Sequence, residues 1–180
     1  MDIRSITPDR WSYVRAIYRE AFPKAERKPF FTLRRDVYNG KAQLLTAIED
    51  DTVLGFALVI PYSNMVMVDY LAVSAKIRSR GAGSQILQEI CRRFPEQKIV
   101  LLIEQMNEAA TNAQQRMARR RFYLKNGFES SGIFIDGHSG CMEVLNYGGR
   151  VSASEYMALQ KYALGRFMFK LSGIRRLQQA

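Results

Sequence analysis

The sequence is poor in the residues that build disulfide scaffolds and zinc sites. Among its 180 residues are only two cysteines, Cys91 and Cys141, and a single histidine, His138. The cysteines lie far apart and neither belongs to a CxxC pair, so neither a disulfide framework nor a metal site is expected. Two reduced cysteines are typical of a cytosolic protein, and we therefore expect a cytoplasmic location.

Long apolar runs are also missing. The N-terminal segment 1–7 has no apolar stretch of the kind found in signal peptides. No uninterrupted apolar run approaches the roughly 20 residues that a membrane-spanning helix requires. Hydrophobic residues nevertheless make up 47% of the chain and charged residues 24%, a balance that indicates a packed globular domain rather than disorder.

Negative charge is scarce relative to positive charge, and the formal net charge is +10. A basic protein of this size suits a nucleic-acid partner, an anionic membrane surface or a phosphate-rich small ligand. Composition does not choose among these three. No recognised nucleic-acid-binding motif is present, so we do not expect a nucleic-acid partner.

The spacing of apolar residues predicts a mixed α/β fold. A period of two predicts strands over 43–48, 53–61 and 65–73, and their short connections favour an antiparallel meander. With the helical periods around them, the predicted order is β-α-α-β-β-β-α-β-α-β-β. Residues 152–171 follow a Gly-Gly break and show one further helical stripe. We expect this helix to pack on the domain or on a second subunit, as in a homodimer; an anionic membrane is the remaining alternative.

One turn carries the clearest chemical prediction. A predicted strand that ends near Val73 is followed by Arg78-Ser79-Arg80-Gly81-Ala82-Gly83, and this turn opens a predicted helix. Backbone N–H groups at a helix start and the helix dipole both favour an anion. Gly81 and Gly83 let the backbone approach a phosphate without interference from a Cβ atom, and the flanking cations add positive charge. A pyrophosphate is the predicted ligand.

Two common phosphate loops do not occur in this chain. The sequence contains no GxxxxGK[ST] motif, which excludes a P-loop nucleotide hydrolase. It also contains no GxGxxG followed by an acidic residue, so a Rossmann dinucleotide site is not supported.

Two segments resemble the GNAT acetyltransferase superfamily. Leu71-Ala72-Val73 is followed, at the family's spacing, by Arg78-x-x-Gly81-x-Gly83, which matches its cofactor motif. Downstream, the segment 122–128, FYLKNGF, resembles the helix end and strand start of the same family. The resemblance covers about residues 1–147, which we expect to form a GNAT-like acetyltransferase domain, and it leaves 148–180 as a C-terminal helical extension.

The resemblance implies a mixed, mostly antiparallel sheet with splayed central strands, flanked by helices. It implies acetyl-CoA as the acyl donor, and a small amine or a protein amine as the acceptor. The strand residues would contact the pantetheine and the turn would hold the pyrophosphate. The implied cofactor-binding residues are Leu71, Ala72, Val73, Arg78, Ser79, Arg80, Gly81, Ala82, Gly83 and Ser84.

Acyl transfer to an amine needs a base for the attacking nitrogen and an acid for the departing thiolate. By its position in the second motif, Tyr123 is the implied acid. Glu104, at the end of an apolar strand, and Asp69, on the neighbouring strand, are both candidates for the base. The chain departs from the family pattern at Arg116 and Arg119, where relatives have Asn and Ala.

The acceptor side of the site is expected in the segment between the first two helices. Glu26 could bind a cationic amine there, and Phe30 and Phe31 could enclose its alkyl part. Two other functions remain open: a catalytically silent GNAT-like module that binds acyl-CoA, and a basic nucleic-acid-binding protein. Binding of CoA without turnover would favour the silent module.

Overall fold

A computed structural model of the chain describes residues 1–75, 81–137 and 140–177. The chain divides into two compact units. The first comprises Met1–Pro61 and Val68–Pro95, and the second comprises Tyr62–Met67 and Glu96–Ala180.

The first unit contains four strands that are neighbours in their order along the chain. They are β1 (Asp2–Ser5), β2 (Gln43–Glu49), β3 (Thr52–Tyr62) and β4 (Met65–Val73), the last two of which begin or end in the second unit. The pairs β1–β2 and β2–β3 are antiparallel, with a register shift at Ala47/Ile48. The predicted antiparallel pairing of the first two meander strands is therefore confirmed, and β4 is the next neighbour of β3 in the sheet.

Three helices complete the first unit: α1 (Trp11–Ala21), α2 (Phe30–Tyr38) and α3 (Ala82–Arg93). The buried side of α1 consists of Trp11, Val14, Ile17 and Tyr18, which follow the helical spacing in the sequence. Lys24–Glu26, predicted as a linker, forms a single 3-10 turn between α1 and α2.

The second unit contains four strands in the order β5-β7-β6-β8. They are β5 (Lys98–Glu104), β6 (Glu129–Gly137), β7 (Gly140–Tyr147) and β8 (Arg175–Arg176). All three pairings are antiparallel. In β5 the residues Ile99, Val100 and Leu101 are consecutive and buried, so both faces of the strand are covered.

Its helices are α4 (Ala113–Lys125), α5 (Ala153–Leu164) and α6 (Arg166–Leu171). The single helix predicted over 152–171 is thus wrong in one respect, because Gly165, with φ 78° and ψ 153°, separates α5 from α6. No pattern predicted β8, whose Arg175 pairs with Asp136 of β6 in register and through a 3.4 Å ion pair. The proposed boundary between 147 and 148 stays a prediction.

The predicted fold class is confirmed: the protein is a mixed α/β fold with mostly antiparallel strands and flanking helices. Over residues 1–75, 81–137 and 140–177, none of the helices has the length and apolar character to cross a membrane.

Candidate active site

Among the residues that the structure describes, the start of α3 is open to an anion. Gly81 precedes the helix in the left-handed conformation, φ 81° and ψ 0°, which glycine adopts without strain. A Cβ atom at this position would meet no atom within 4 Å, so the approach is sterically clear of the described residues. The first turn carries no acidic side chain, and its first helical hydrogen bond is donated by the Gln85 N–H. The N–H groups of Ala82, Gly83 and Ser84 come before it, as helix geometry requires.

Only part of the predicted phosphate turn can be described. Gly81, Ala82, Gly83 and Ser84 form the open helix start. Arg78, Ser79 and Arg80 lie outside the described residues.

Strand β4 presents an alternating face as it approaches this turn. Asp69, Leu71 and Val73 are partly exposed, while Tyr70 and Ala72 between them are buried. This period of two matches the pleat of a strand that is covered on one side. The predicted pantetheine-contacting residues therefore include two positions, Leu71 and Val73, whose side chains share a face with Asp69.

Two residues that no motif singled out shape the end of β4. A Cβ atom on Gly55 would lie 2.7 Å from the Ala72 carbonyl oxygen, so only glycine allows β3 this close to β4. The signal in the sequence was a lone glycine within an apolar strand. Glu20, at the end of α1, accepts a hydrogen bond of 2.6 Å from the Ala75 N–H. This bond fixes the backbone just after β4.

Asp69 is held by a lysine from the segment between α1 and α2. The Lys28 Nζ lies 2.9 Å from the Oδ1 and 2.7 Å from the Oδ2 of Asp69, so both carboxylate oxygens accept from one ammonium. The Asp69 side chain is only 13% exposed, against 32% for Lys28. A carboxylate with so little exposure requires such a partner.

Two tyrosines fix the backbone of this segment. The Tyr18 hydroxyl donates to the Lys28 carbonyl (3.1 Å), and the Tyr70 hydroxyl donates to the Glu26 carbonyl (3.0 Å). The Lys28 N–H in turn donates to the Tyr70 oxygen (3.2 Å). Burial raises the pKa of Tyr70 and that of Tyr18, so both hydroxyls keep the protons that these hydrogen bonds need.

The predicted acceptor-binding residues lie in and beside this segment. Phe30 belongs to an aromatic cluster, with ring centroids 5.8 Å from Trp11 and 5.8 Å from Tyr18. Phe31 points outward and is 67% exposed. Glu26 is in the 3-10 turn and its backbone carbonyl accepts from Tyr70.

In the second unit, the end of α4 fixes the position of Tyr123. Gly127, with φ 83°, lets the chain turn back, and its N–H donates to the Leu124 carbonyl (3.0 Å). The Phe128 N–H reaches the Tyr123 carbonyl (3.1 Å), and their rings are 5.8 Å apart. These two backbone bonds and the apolar contact make a Schellman cap. The NGF part of the second motif is therefore the device that ends the helix behind Tyr123.

The Tyr123 hydroxyl is available for chemistry. Its ring packs edge-on against Phe122 and Phe128. No residue in the described ranges forms a hydrogen bond with its hydroxyl. Burial raises the pKa of Tyr123 to about 12, although the positive charge of Arg119 opposes the shift. The side chain thus carries its proton across the ordinary pH range and can donate it.

Glu104, the other candidate base, is heavily engaged. Its Oε1 accepts from the Asn112 Nδ2 (2.9 Å) and lies 3.2 Å from a guanidinium nitrogen of Arg116. Its Oε2 accepts from the Arg119 guanidinium at 2.8 Å. The two departures from the family pattern, Arg116 and Arg119, are therefore the two cations that neutralise Glu104.

Asn112, Arg116, Arg119 and Tyr123 are spaced four, three and four residues apart, so they follow one stripe along α4 and its first flanking residue. Arg120, next to this stripe, pairs at 3.3 Å with Glu143 of β7, whose side chain is 5% exposed. Most of the basic side of α4 that faces β5 and β7 is thus occupied by internal ion pairs. The described candidates divide between the two units: Asp69, Leu71, Val73 and Gly81 belong to the first, and Glu104 and Tyr123 to the second.

A family model described as acetyltransferase (GNAT) domain matches residues 40–130, half of the chain. The match spans β2 to the beginning of β6 and includes both motifs, at Leu71–Gly83 and at 122–128. A sequence comparison with curated proteins gives no match.

Solved structures share the fold. A protein from Bacteroides thetaiotaomicron, described as an acetyltransferase from the GNAT family, matches with a TM-score of 0.69 at 19% identity, over 94% of this chain and 98% of its own. An aminoglycoside 6'-N-acetyltransferase complexed with coenzyme A gives 0.66 at 13% identity, over 81% and 96%. The ribosomal-protein-S18-alanine N-acetyltransferase from Escherichia coli gives 0.64 at 15% identity, over 84% and 96%.

Proposed function

Because the chain belongs to the GNAT acetyltransferase family, we propose that it transfers the acetyl group of acetyl-CoA to a primary amine by direct attack of that amine. The protein is an N-acetyltransferase, and members of its family use acetyl-CoA as the acyl donor. When bound, acetyl-CoA supplies a thioester carbonyl carbon to the attacking nitrogen.

The observation that carries the proposal is the start of α3, which follows β4 in the sequence. It has a left-handed glycine, no acidic side chain in its first turn, and open space at Gly81 among the described residues. Such a helix start fits a pyrophosphate, since its free N–H groups and the helix dipole both attract negative charge. We assign the pyrophosphate to Arg78–Ser84 and the pantetheine to Leu71–Val73.

For the base we favour Asp69 over Glu104. Asp69 already binds an ammonium group, that of Lys28, which is the kind of group that an amine acceptor brings. Glu104 is instead paired with the guanidinium groups of Arg116 and Arg119 and the amide of Asn112, none of which resembles an amine acceptor. Glu104 then acts as a positioning residue that holds Arg119 on the same side of α4 as Tyr123.

For the acid we assign Tyr123. Its hydroxyl keeps its proton, since its pKa is about 12, and it is free of hydrogen-bond partners among the described residues. A departing thiolate could therefore take up this proton as the carbon–sulfur bond breaks. Positioned proton transfer of this kind contributes about 100-fold to 10,000-fold in rate.

The acceptor is proposed only as a class, a cationic primary amine. Of the structurally similar enzymes, one acts on aminoglycosides and one on a ribosomal protein, so both small amines and protein amines occur on this fold. Glu26, Phe30 and Phe31 stay our candidates for acceptor contacts. Glu26 carries the negative charge that such an amine would seek, and Phe31 offers an exposed apolar ring.

Calorimetric titration of acetyl-CoA into Gly81→Asp tests the cofactor site. The substitution puts a carboxylate where the pyrophosphate is expected, so we expect at least a tenfold loss of affinity, about 1.4 kcal/mol. Gly40→Asp is the matched control: Gly40 also has a positive φ, 73°, and open space around a Cβ atom, and it lies in the turn after α2.

Equal binding by wild type and both variants would contradict the assignment of the pyrophosphate to this turn. Binding of acetyl-CoA without turnover of any amine would instead favour a silent acyl-CoA-binding module. If acetyl-CoA does not bind to the wild type, the basic surface should be tested with nucleic acid.

Two further parts of the proposal concern the oligomeric state and the cellular location. We propose that the C-terminal extension mediates a homodimer, because α6 exposes two large apolar side chains, Phe167 (73%) and Leu171 (66%). The cytoplasmic location expected from the sequence stays a prediction.

A further inference from the structure

Lys28 is placed as an acceptor amine would be. Its ammonium lies within hydrogen-bond distance of both oxygens of Asp69, at 2.7 and 2.9 Å. It also lies 5.7 Å from the centre of the Tyr70 ring, at cation–π distance. A carboxylate and an aromatic face are the groups with which a site recognises a cationic amine.

The lysine is held in this position from its backbone. Its carbonyl accepts from Tyr18 and its N–H donates to Tyr70, so the residue is fixed on both sides. In an ordinary surface ion pair, the loss of side-chain entropy offsets much of the electrostatic stabilisation. Because the Lys28 backbone is already held by hydrogen bonds, less conformational entropy is lost when its side chain binds Asp69.

The position along β4 places Asp69 at the acyl end of the proposed cofactor site. Asp69, Leu71 and Val73 lie on one face, and consecutive members of this series are roughly 7 Å apart. A cofactor with its pyrophosphate at Gly81 and its pantetheine along Leu71 and Val73 extends toward Asp69. Lys28 then meets the end of the cofactor that carries the acetyl group.

We propose that Lys28 is an internal acceptor, which the protein acetylates with its own acetyl-CoA. This inference rests on the proposed function and adds to it a modification site within the same chain. It gives a role to the amine that is paired with the carboxylate we assign as the base.

The reaction at Lys28 balances without a further reactant. The Lys28 ammonium loses one proton to Asp69, and the nitrogen lone pair forms a bond to the thioester carbonyl carbon. The nitrogen, now bonded to carbon, loses its second proton. The carbon–sulfur bond breaks, and the sulfur leaves with its electron pair and takes up a proton. One ammonium and one acetyl thioester thus give one amide, one thiol and one released proton.

Acetylation changes the charges around Asp69. The amide product carries no charge, so the ion pair of 2.7 Å is lost and the carboxylate loses its counter-ion. Asp69, 13% exposed, would then be available to the ammonium of an external acceptor. Modification of Lys28 would therefore relieve competition between the internal amine and the substrate amine.

Peptide mass spectrometry after incubation with acetyl-CoA tests the inference. We expect Lys28 to acquire an acetyl group at least about 100-fold faster than Lys24, the lower limit for positioned proton transfer. Lys24 is an exposed lysine in the same segment and reports uncatalysed acetylation. Asp69→Asn and Gly81→Asp should each reduce the rate at Lys28 to that at Lys24, whereas Gly40→Asp should not.

A second measurement is independent of acetyl transfer. A double-mutant cycle of unfolding free energies with Lys28→Gln and Asp69→Asn measures whether the ion pair exists in solution. We expect the two changes to be non-additive, because each removes the same interaction. Additive changes would overturn the placement of Lys28 on Asp69.

The outcomes separate this inference from the proposed function. If the protein binds acetyl-CoA and acetylates an added amine while Lys28 reacts no faster than Lys24, the inference is wrong and the proposed function stands. If acetyl-CoA fails to bind, both are wrong. Selective acetylation of Lys28 that requires Gly81 and Asp69 supports both.

Discussion

Tyr123 joins a local backbone motif to the role of acid that we propose for it. Its carbonyl accepts the Phe128 N–H that completes the helix cap, and its ring lies between Phe122 and Phe128. Its hydroxyl, by contrast, takes no part in that arrangement. The cap therefore fixes the ring without engaging the group that would donate the proton.

Tyr123→Phe removes this hydroxyl and leaves the ring packing intact. We expect kcat to fall by about 100-fold or more, since the proton donor is lost, with acetyl-CoA affinity unchanged. Steady-state kinetics with a panel of aminoglycosides and peptide amines measures the change. Tyr147→Phe is the control, because it removes a hydroxyl from another aromatic ring that packs against Phe128.

The pH profile provides a further check on Tyr123. Because its pKa is about 12, the protonated form persists throughout the range in which enzymes are assayed. Loss of this acid therefore cannot cause a fall in kcat of the wild type below about pH 11. A kcat unchanged in Tyr123→Phe would show that another group, or water, protonates the thiolate.

At the scale of elements, α5 shows how a short motif secures the C-terminal extension. The Ser152 side chain accepts from the Glu155 N–H, and the Glu155 carboxylate accepts from the Ser152 N–H, which makes a capping box. The same carboxylate accepts from Lys98 of β5 at 2.9 Å. The Ser152 N–H first, and then Lys98, lower the pKa of Glu155 from 4.5 to about 2.

Stability should depend on pH through Glu155. Because its pKa is lowered by folding, its contribution is present above about pH 4.5 and is lost as pH falls toward 2. We expect Glu155→Gln to lower the melting temperature at pH 7 and to match the wild type near pH 2. Thermal unfolding monitored by circular dichroism between pH 2 and 7 measures this convergence.

Glu108→Gln is the control for this prediction. Glu108 is exposed and has no hydrogen bond or ion pair to a residue that the structure describes. Its substitution should leave the melting temperature nearly unchanged at every pH. A difference between wild type and Glu155→Gln that stays constant down to pH 2 would contradict the role of the ionised carboxylate.

At the scale of the whole molecule, the excess of positive charge is partly used internally. Arg116 and Arg119 neutralise Glu104, and Arg120 neutralises Glu143. These cations are therefore less available to an external polyanion than their number in the sequence suggests. A net charge of +10 is consequently a weaker indication of nucleic-acid binding than it is from composition alone.

The oligomeric state is the prediction that belongs to this scale. If α6 mediates a homodimer, light scattering coupled to gel filtration should give twice the mass of 20.7 kDa for the wild type. The double substitution Phe167→Glu and Leu171→Glu should give the monomer mass, because charge would replace the apolar contact. Tyr13→Glu, at an exposed aromatic of α1, should not change the mass.

A monomer mass for the wild type at micromolar concentration would contradict the homodimer. In that case the exposed apolar side chains of α6 would need another explanation.

The sequence by itself determined the features that contiguous residues encode. The run from Leu71 to Gly83 predicted a strand, a turn and a helix start, and the described part of it is as expected. The NGF segment after α4 likewise predicted the helix end, because a left-handed glycine and two backbone bonds need only neighbouring residues. Such patterns also led to the family, since its motifs are local.

The tertiary structure alone decided which partners these residues have. Lys28 and Asp69 are 41 positions apart, and nothing in the spacing of either predicts their ion pair. The closeness of Gly55 to the Ala72 carbonyl depends on how two strands pack, and the lone glycine in an apolar strand does not by itself identify the atom it meets. The burial and the ion pairs of a carboxylate both depend on how distant segments of the chain come together. The sequence therefore identified Asp69 and Glu104 as candidate bases, and only the tertiary structure showed which partners each of them has.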